Sequence, residues 1–332
     1  MRGAIVALIE PEPGLVLPEE VSTTAFEFEP GVSIGRVPDW CRDPGVFETM
    51  LEPEHKRIVG SARHAFSAEF LYVESATHGN PQNLTPEEVR AERRIRNAIL
   101  AMWLAHPFGF EVPFAVRASA REDARFRWDG GGRPDMDVQI GWRSDPDNSG
   151  NPVPGHALRE ARVLYEGMTS LPASGAVAVA LEALWYSLTL RKPLLAFLVL
   201  WIALEALFGP SGPERVTACL KRWIPGFAEE MAGIGGLSKG TVDKWYRARC
   251  KIAHGRSLRP TDAKKAAELT ETAKSVENVA RRSLVAILKD PSLAVLLNGE
   301  SRELELARRY GDPRPMNVRV LERIARLWPW SR

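Results

Sequence analysis

The stretch Thr241-Val242-Asp243-Lys244-Trp245-Tyr246-Arg247-Ala248-Arg249-Cys250-Lys251-Ile252-Ala253-His254-Gly255-Arg256 sets an arginine, four residues and a histidine at the close of a helical run, with glycine next. A guanidinium grips phosphate through forked donors, and an imidazole moves protons near neutral pH. Arg249 and His254 therefore point to phosphodiester chemistry. Residues five apart on a helix differ by about 140°, at about 100° a step, so the two side chains do not share a face. Cys250 is the residue one turn before His254. Either Gly255 loosens the last turn, or the two residues converge where two copies meet about a two-fold axis.

Outward from this stretch the chain reads as helical. From about His156 the expected helices are 157–169, 174–190, 193–208, 213–224, 239–254, 261–289, 291–297, 301–310 and 317–328. The segment 194–208 is strongly apolar, but it falls short of the roughly 20 residues of a membrane span and carries Glu205. It is expected to be a helix buried on all sides in a bundle. Glu205, between Leu204 and Leu207, needs a partner there, and Arg249 is a candidate ion-pair partner.

Before Gly155 the pattern is mixed. Strands are expected at 4–8, 24–28, 110–118, 125–128 and 136–142, and a helix within 44–73. Thr85-Pro86-Glu87-Glu88 opens a helix with an N-cap threonine, a first-turn proline and a glutamate at the capping-box position. Its basic run Arg90, Arg93, Arg94 and Arg96 reads as a solvated face rather than an RNA stripe. Asp129-Gly130-Gly131-Gly132-Arg133-Pro134 lacks the Gly-Lys-Ser/Thr ending of a phosphate loop and reads as a hairpin turn. The polar, breaker-rich stretch 144–155 is the natural linker. The architecture expected is an α+β N-terminal domain, 1–150, followed by an α-helical domain, 156–332.

The 332 residues, 45% hydrophobic and 26% charged, belong to the composition range of globular proteins. A net charge of +2 imposes no global field toward nucleic acid or membrane, so a polyanion site must come from local placement. Three scattered cysteines, Cys41, Cys219 and Cys250, form no CxxC pair, which argues against a disulfide framework or structural zinc and for a cytoplasmic setting. The apolar run Ala4–Ile9 is too short for a signal-peptide core. His55, His64, His78, His106 and His156 show no metal-ligand spacing, although His55 and His64 would share a helix face. No cofactor and no metal are expected.

With Ala203-Leu204-Glu205-Ala206-Leu207-Phe208-Gly209 as the end of one helix and 245–255 as the end of a later one, the C-terminal half resembles the HEPN superfamily, and within it the Apea-like HEPN group. The resemblance covers about residues 160–290 and rests on the Arg-x4-His pattern with its aromatic-basic lead-in and trailing glycine. It implies a HEPN-like helical bundle that homodimerises with two motifs facing each other. It further implies a metal-independent endoribonuclease of a bacterial toxin or antiphage defence setting. Arg249 and His254 stand at the motif positions. Where members often carry a polar residue after the arginine, this chain has Cys250.

RNA carries its own nucleophile in the 2′-OH, so cleavage needs a proton shuttle and a cation on the crowded phosphate. His254, at a helix C-terminus where the dipole favours the protonated ring, would serve as the first, and Arg249 as the second. Glu205, Tyr246 and Cys250 would support the site, and Lys251 and Arg256 would contact RNA phosphates. The alternatives are a C-capping role for His254, a core or interface role for Trp245 and Tyr246, and an inactive module that binds RNA or nucleotide or assembles a partner complex. The N-terminal domain would sense a trigger, position RNA or bind a protein regulator.

Overall fold

Val6, Ala7 and Leu8 are successive residues with no exposed surface, which requires cover on both faces of the strand that holds them. That strand is β1 (Arg2–Leu8), inside a six-stranded sheet with β2 (Phe26–Glu29), β3 (Val32–Arg36), β4 (His64–Leu71), β5 (Phe114–Ala120) and β6 (Phe126–Trp128). The order is β2-β3-β4-β1-β5-β6 and every pairing is antiparallel. These elements come from a computed structural model that describes residues 2–9, 17–18, 21, 24–38, 60, 62–71, 86–107, 114–120, 126–128, 153–190, 192–212, 215–254 and 263–311.

The strands at 4–8, 24–28, 110–118 and 125–128 are found, with shifted ends. The expected strand 136–142, the 129–134 turn, most of the linker and the last helix, 317–328, lie outside the described residues. The helix expected within 44–73 is corrected over its last part: His64–Leu71 is β4, paired with β1 on one side and β3 on the other. Two ladders of backbone hydrogen bonds and the burial of Ala65, Phe66 and Ala68 override the local helical reading. His64 therefore stands on a strand and shares no helix face with His55. The β2–β3 hairpin turns at Pro30-Gly31, where Gly31 has φ 76°, a left-handed conformation that glycine takes without a Cβ penalty.

The chain divides into two compact units, residues 1–171 with 185–196, and 172–184 with 197–332. In the first, helix α1 (Pro86–Ala105) packs on β1 and β4, and α2 (Gly155–Ser170) packs on α1 and β2. The helix following the linker is thus grouped with the sheet. Two residues of the basic run, Arg94 and Arg96, are engaged within this unit, while Arg90 and Arg93 are exposed. Arg94 Nε pairs with Glu29 Oε1 at 2.5 Å, the Tyr165 hydroxyl donates to the same oxygen at 2.7 Å, and the Arg96 guanidinium lies 4.9 Å from the Trp185 ring centre. Arg90 pairs with Glu87 one turn earlier.

The second unit is helical throughout its described residues. It holds residues 176–184 of α3 (Ala176–Thr189) and 197–208 of α4 (Pro193–Phe208), together with α5 (Val216–Glu230), α6 (Lys239–Ala253), α7 (Ala263–Lys289), α8 (Pro291–Asn298) and α9 (Arg302–Tyr310). The core centres on α4, where Phe197, Leu200, Trp201, Ala203, Leu204, Leu207 and Phe208 have no exposed surface. Burial on all sides does not hold for the whole helix, because Leu195 and Ile202 are exposed. No helix among the described residues is long and apolar enough to cross a membrane.

Helix α5 runs past the expected end at 224, with Pro225 inside it, because Phe227 and Ala228 one turn later bury their side chains. Helix α9 docks on α5. Arg222 Nε donates to Tyr310 O at 2.9 Å, Trp223 Nε1 donates to Gly311 O at 3.1 Å, and a Cβ at Gly226 would strike the Tyr310 ring.

Candidate functional site

Helix α6 begins where Ser238 Oγ accepts the Thr241 N–H at 3.0 Å, satisfying one of the free donors of a helix start. It ends at His254, whose backbone N–H closes on Cys250 O at 3.0 Å while its ψ of 15° leaves the helical range. At about 100° per residue, Val242, Trp245, Tyr246, Arg249 and Ile252 fall within about 120° of one another. Val242, Trp245 and Ile252 of this set are buried, so this is the packed face. It carries Tyr246 and Arg249 inward with the apolar residues.

Arg249 meets Glu205 there, with Nη2 to Oε2 at 3.3 Å. The other carboxylate oxygen accepts Trp201 Nε1 at 2.8 Å, one turn back along α4. Trp201 is fully buried, packs 6.4 Å centre-to-centre from Phe197 and takes the Tyr246 ring against it at 6.1 Å. Glu205 is thus held by a rigid indole on one side and holds the guanidinium on the other. With the two side chains 25% and 34% exposed, the pair sits at the edge of the core, where its charges are partly hydrated.

The pair borders a cleft of about 450 Å³ lined also by Gly209, Arg215, Thr217 and Tyr246. Gly209 continues the α4 backbone by donating to Glu205 O at 2.7 Å, and a Cβ at Gly209 would lie 2.5 Å from that oxygen. Arg215 reaches the cleft from the start of α5 with φ 68°, an uncommon conformation for a side-chain-bearing residue. No spacing pattern marked Arg215 or Thr217. They come to the cleft only because the turn after α4 returns the chain beside α6.

His254 is exposed and is not among the described residues that line the cleft. The structure therefore brings Arg249, Glu205 and Tyr246 together and leaves His254 apart from them in a single chain. Cys250 is a free, half-buried thiol between the two faces, and Lys251 is exposed in the last turn. Arg256 lies outside the described residues. On the flank of α6, Asp243 accepts Lys221 Nζ at 2.8 Å and pairs with Arg247 at 2.9 Å. The Lys221 hydrogen bond, aided by the Arg247 charge, holds the Asp243 carboxyl below its ordinary range.

No protein-family model, no curated protein and no solved structure matches this chain.

Proposed function

We propose that the chain is a metal-independent endoribonuclease of the HEPN type, acting as a homodimer. The observation that carries this reading is the arrangement at the end of α6: an arginine held at a cleft edge by a carboxylate, and five residues beyond it an accessible histidine. The 2′-oxygen of RNA attacks the adjacent phosphorus, the neutral His254 ring takes the 2′-hydroxyl proton, and the P–O5′ bond breaks. The protonated ring returns a proton to the 5′-oxygen, leaving a 2′,3′-cyclic phosphate and a 5′-hydroxyl. Arg249 steadies the charge on the phosphate. Its face differs from that of His254, which supports a site completed by two copies, each supplying what the other turns away. The resemblance implies a bacterial defence or toxin setting, the scattered cysteines fit a cytoplasmic one, and residues 1–150 would sense a trigger, position RNA or bind a protein regulator.

The test is incubation of purified protein with single-stranded RNA in the presence of a chelator. Cleavage to 2′,3′-cyclic ends, abolished in His254→Ala with dimer and RNA binding retained, is the expected result. An intact RNA pool with the wild-type dimer overturns the reading.

One observation favours a second reading, a non-catalytic module that binds RNA or nucleotide. Arg249 is engaged by Glu205 in a cleft that His254 does not line. On this reading RNA binds and stays whole, and His254→Ala changes nothing.

A further inference from the structure

The side of α6 turned away from the core carries Lys244, Arg247, Lys251 and His254, at spacings of three, four and three residues. At about 100° per step they fall within about 80° of one another, opposite Val242 and Arg249. All four are exposed. The row spans ten residues, about 15 Å at ~1.5 Å per residue, a length that four or so stacked nucleotides cover at ~3.4 Å each.

We infer that this face is a track for the phosphodiester backbone of single-stranded RNA, with Lys244, Arg247 and Lys251 as phosphate contacts that lead the strand to His254. This rests on the ribonuclease reading for what happens at His254, but not for the binding itself.

The charge pattern separates the track from an ordinary solvated helix face. Several other exposed bases of the same unit pair with acids three or four residues away: Lys274 with Glu271 on α7, and Arg308 and Arg309 with Glu305 on α9. On α6, Lys244 and Lys251 have no acid three or four residues away, and Arg247 stands between Asp243, its ion-pair partner four residues back, and Lys251, a like charge four residues on that repels it. A polyanion relieves that repulsion. Asp243, the one acid of α6, stands on the flank of the row, where Lys221 and Arg247 share it. Arg247 is still 74% exposed, so most of its donors face solvent. Lys251 lies in the last turn of the helix, where the backbone dipole favours a cation, and His254 closes the row.

The experiment is fluorescence anisotropy with a labelled single-stranded RNA over a range of salt, on full-length protein. Lys244→Gln/Arg247→Gln/Lys251→Gln should weaken binding about 10- to 100-fold and lower the salt slope by about 2, near 0.7 for each lost phosphate contact. Lys264→Gln/Lys274→Gln/Lys289→Gln on α7 removes the same charge off the track and should leave both values unchanged. Equal binding by the two triple variants, or equal losses in both, overturns the inference. The two proposals fail separately. If the track variant binds like wild type while His254→Ala abolishes cleavage, the track is wrong and the nuclease reading stands. If the track variant loses binding and no RNA is ever cut, the track stands and the nuclease reading falls.

Discussion

The two sides of α6 use basic residues in opposite ways. On the packed side Arg249 is held by Glu205, which is itself anchored by a buried tryptophan, so its guanidinium is fixed in place at the cleft edge. On the open side Lys244, Arg247 and Lys251 make one ion pair among the described residues, that of Arg247 with Asp243. The charge is the same, but the surroundings differ. A guanidinium at the core edge needs a fixed partner, whereas ammonium groups in water need none. Composition cannot distinguish these roles; the angle around the helix can.

The sharpest way to break the comparison is at His254, where the two sides must meet for chemistry. His254→Ala should lower RNA cleavage by about 10²- to 10⁴-fold, the range for a lost proton-transfer group, with the melting temperature unchanged. Cleavage within about threefold of wild type would detach the histidine from the reaction.

The next effect lies on the packed side. Trp201→Ala should cost about 3–5 kcal/mol in urea unfolding, the range for truncating a fully buried large aromatic. A cost near zero would mean that Trp201 is not the buried support behind Glu205.

A smaller effect is expected at the ion pair. Glu205→Ala strands the buried Trp201 Nε1 and should cost about 1–3 kcal/mol, and Arg249→Ala should cost less. A double-mutant cycle on the two should return a coupling of about 0.5–1.5 kcal/mol, and a coupling of zero would make the contact incidental.

The smallest effect is on the open side, at Asp243. Its folded carboxyl is held below its unfolded range. The stabilisation is therefore complete above the unfolded value and fades as pH falls through the folded one. Asp243→Asn should flatten that acid-side decline in stability. It should also tighten RNA binding about two- to fivefold by removing the one negative charge beside the row. Looser binding would contradict the track.

Much of the second unit was legible because its helices carry their own signals. Capping residues, prolines at starts and long apolar runs placed α4 at 193–208 and α6 within one residue of its ends. The sheet was less legible. β4 contains Ala65, Phe66 and Ala68, and its strand identity depends on β1 and β3 lying on either side, which no local pattern displays. The grouping of α2 is not a local property either. A helix after a linker looks like part of the following bundle, and only its packing on α1 and β2 assigns it to the sheet unit.

By itself the sequence determined that Arg249 and His254 close one helix, that they differ by about 140° around it, and that Glu205 on an apolar helix needs a partner. Period and spacing are local properties, and the chain states them directly. Only the tertiary structure decided that the partner is Arg249 with Trp201 behind Glu205, that Arg215 enters the same cleft, and that His254 stands on the open side with three bases in line. Those facts depend on which face of α6 meets the core, and that is settled by the burial of Val242, Trp245 and Ile252 against helices distant in the chain.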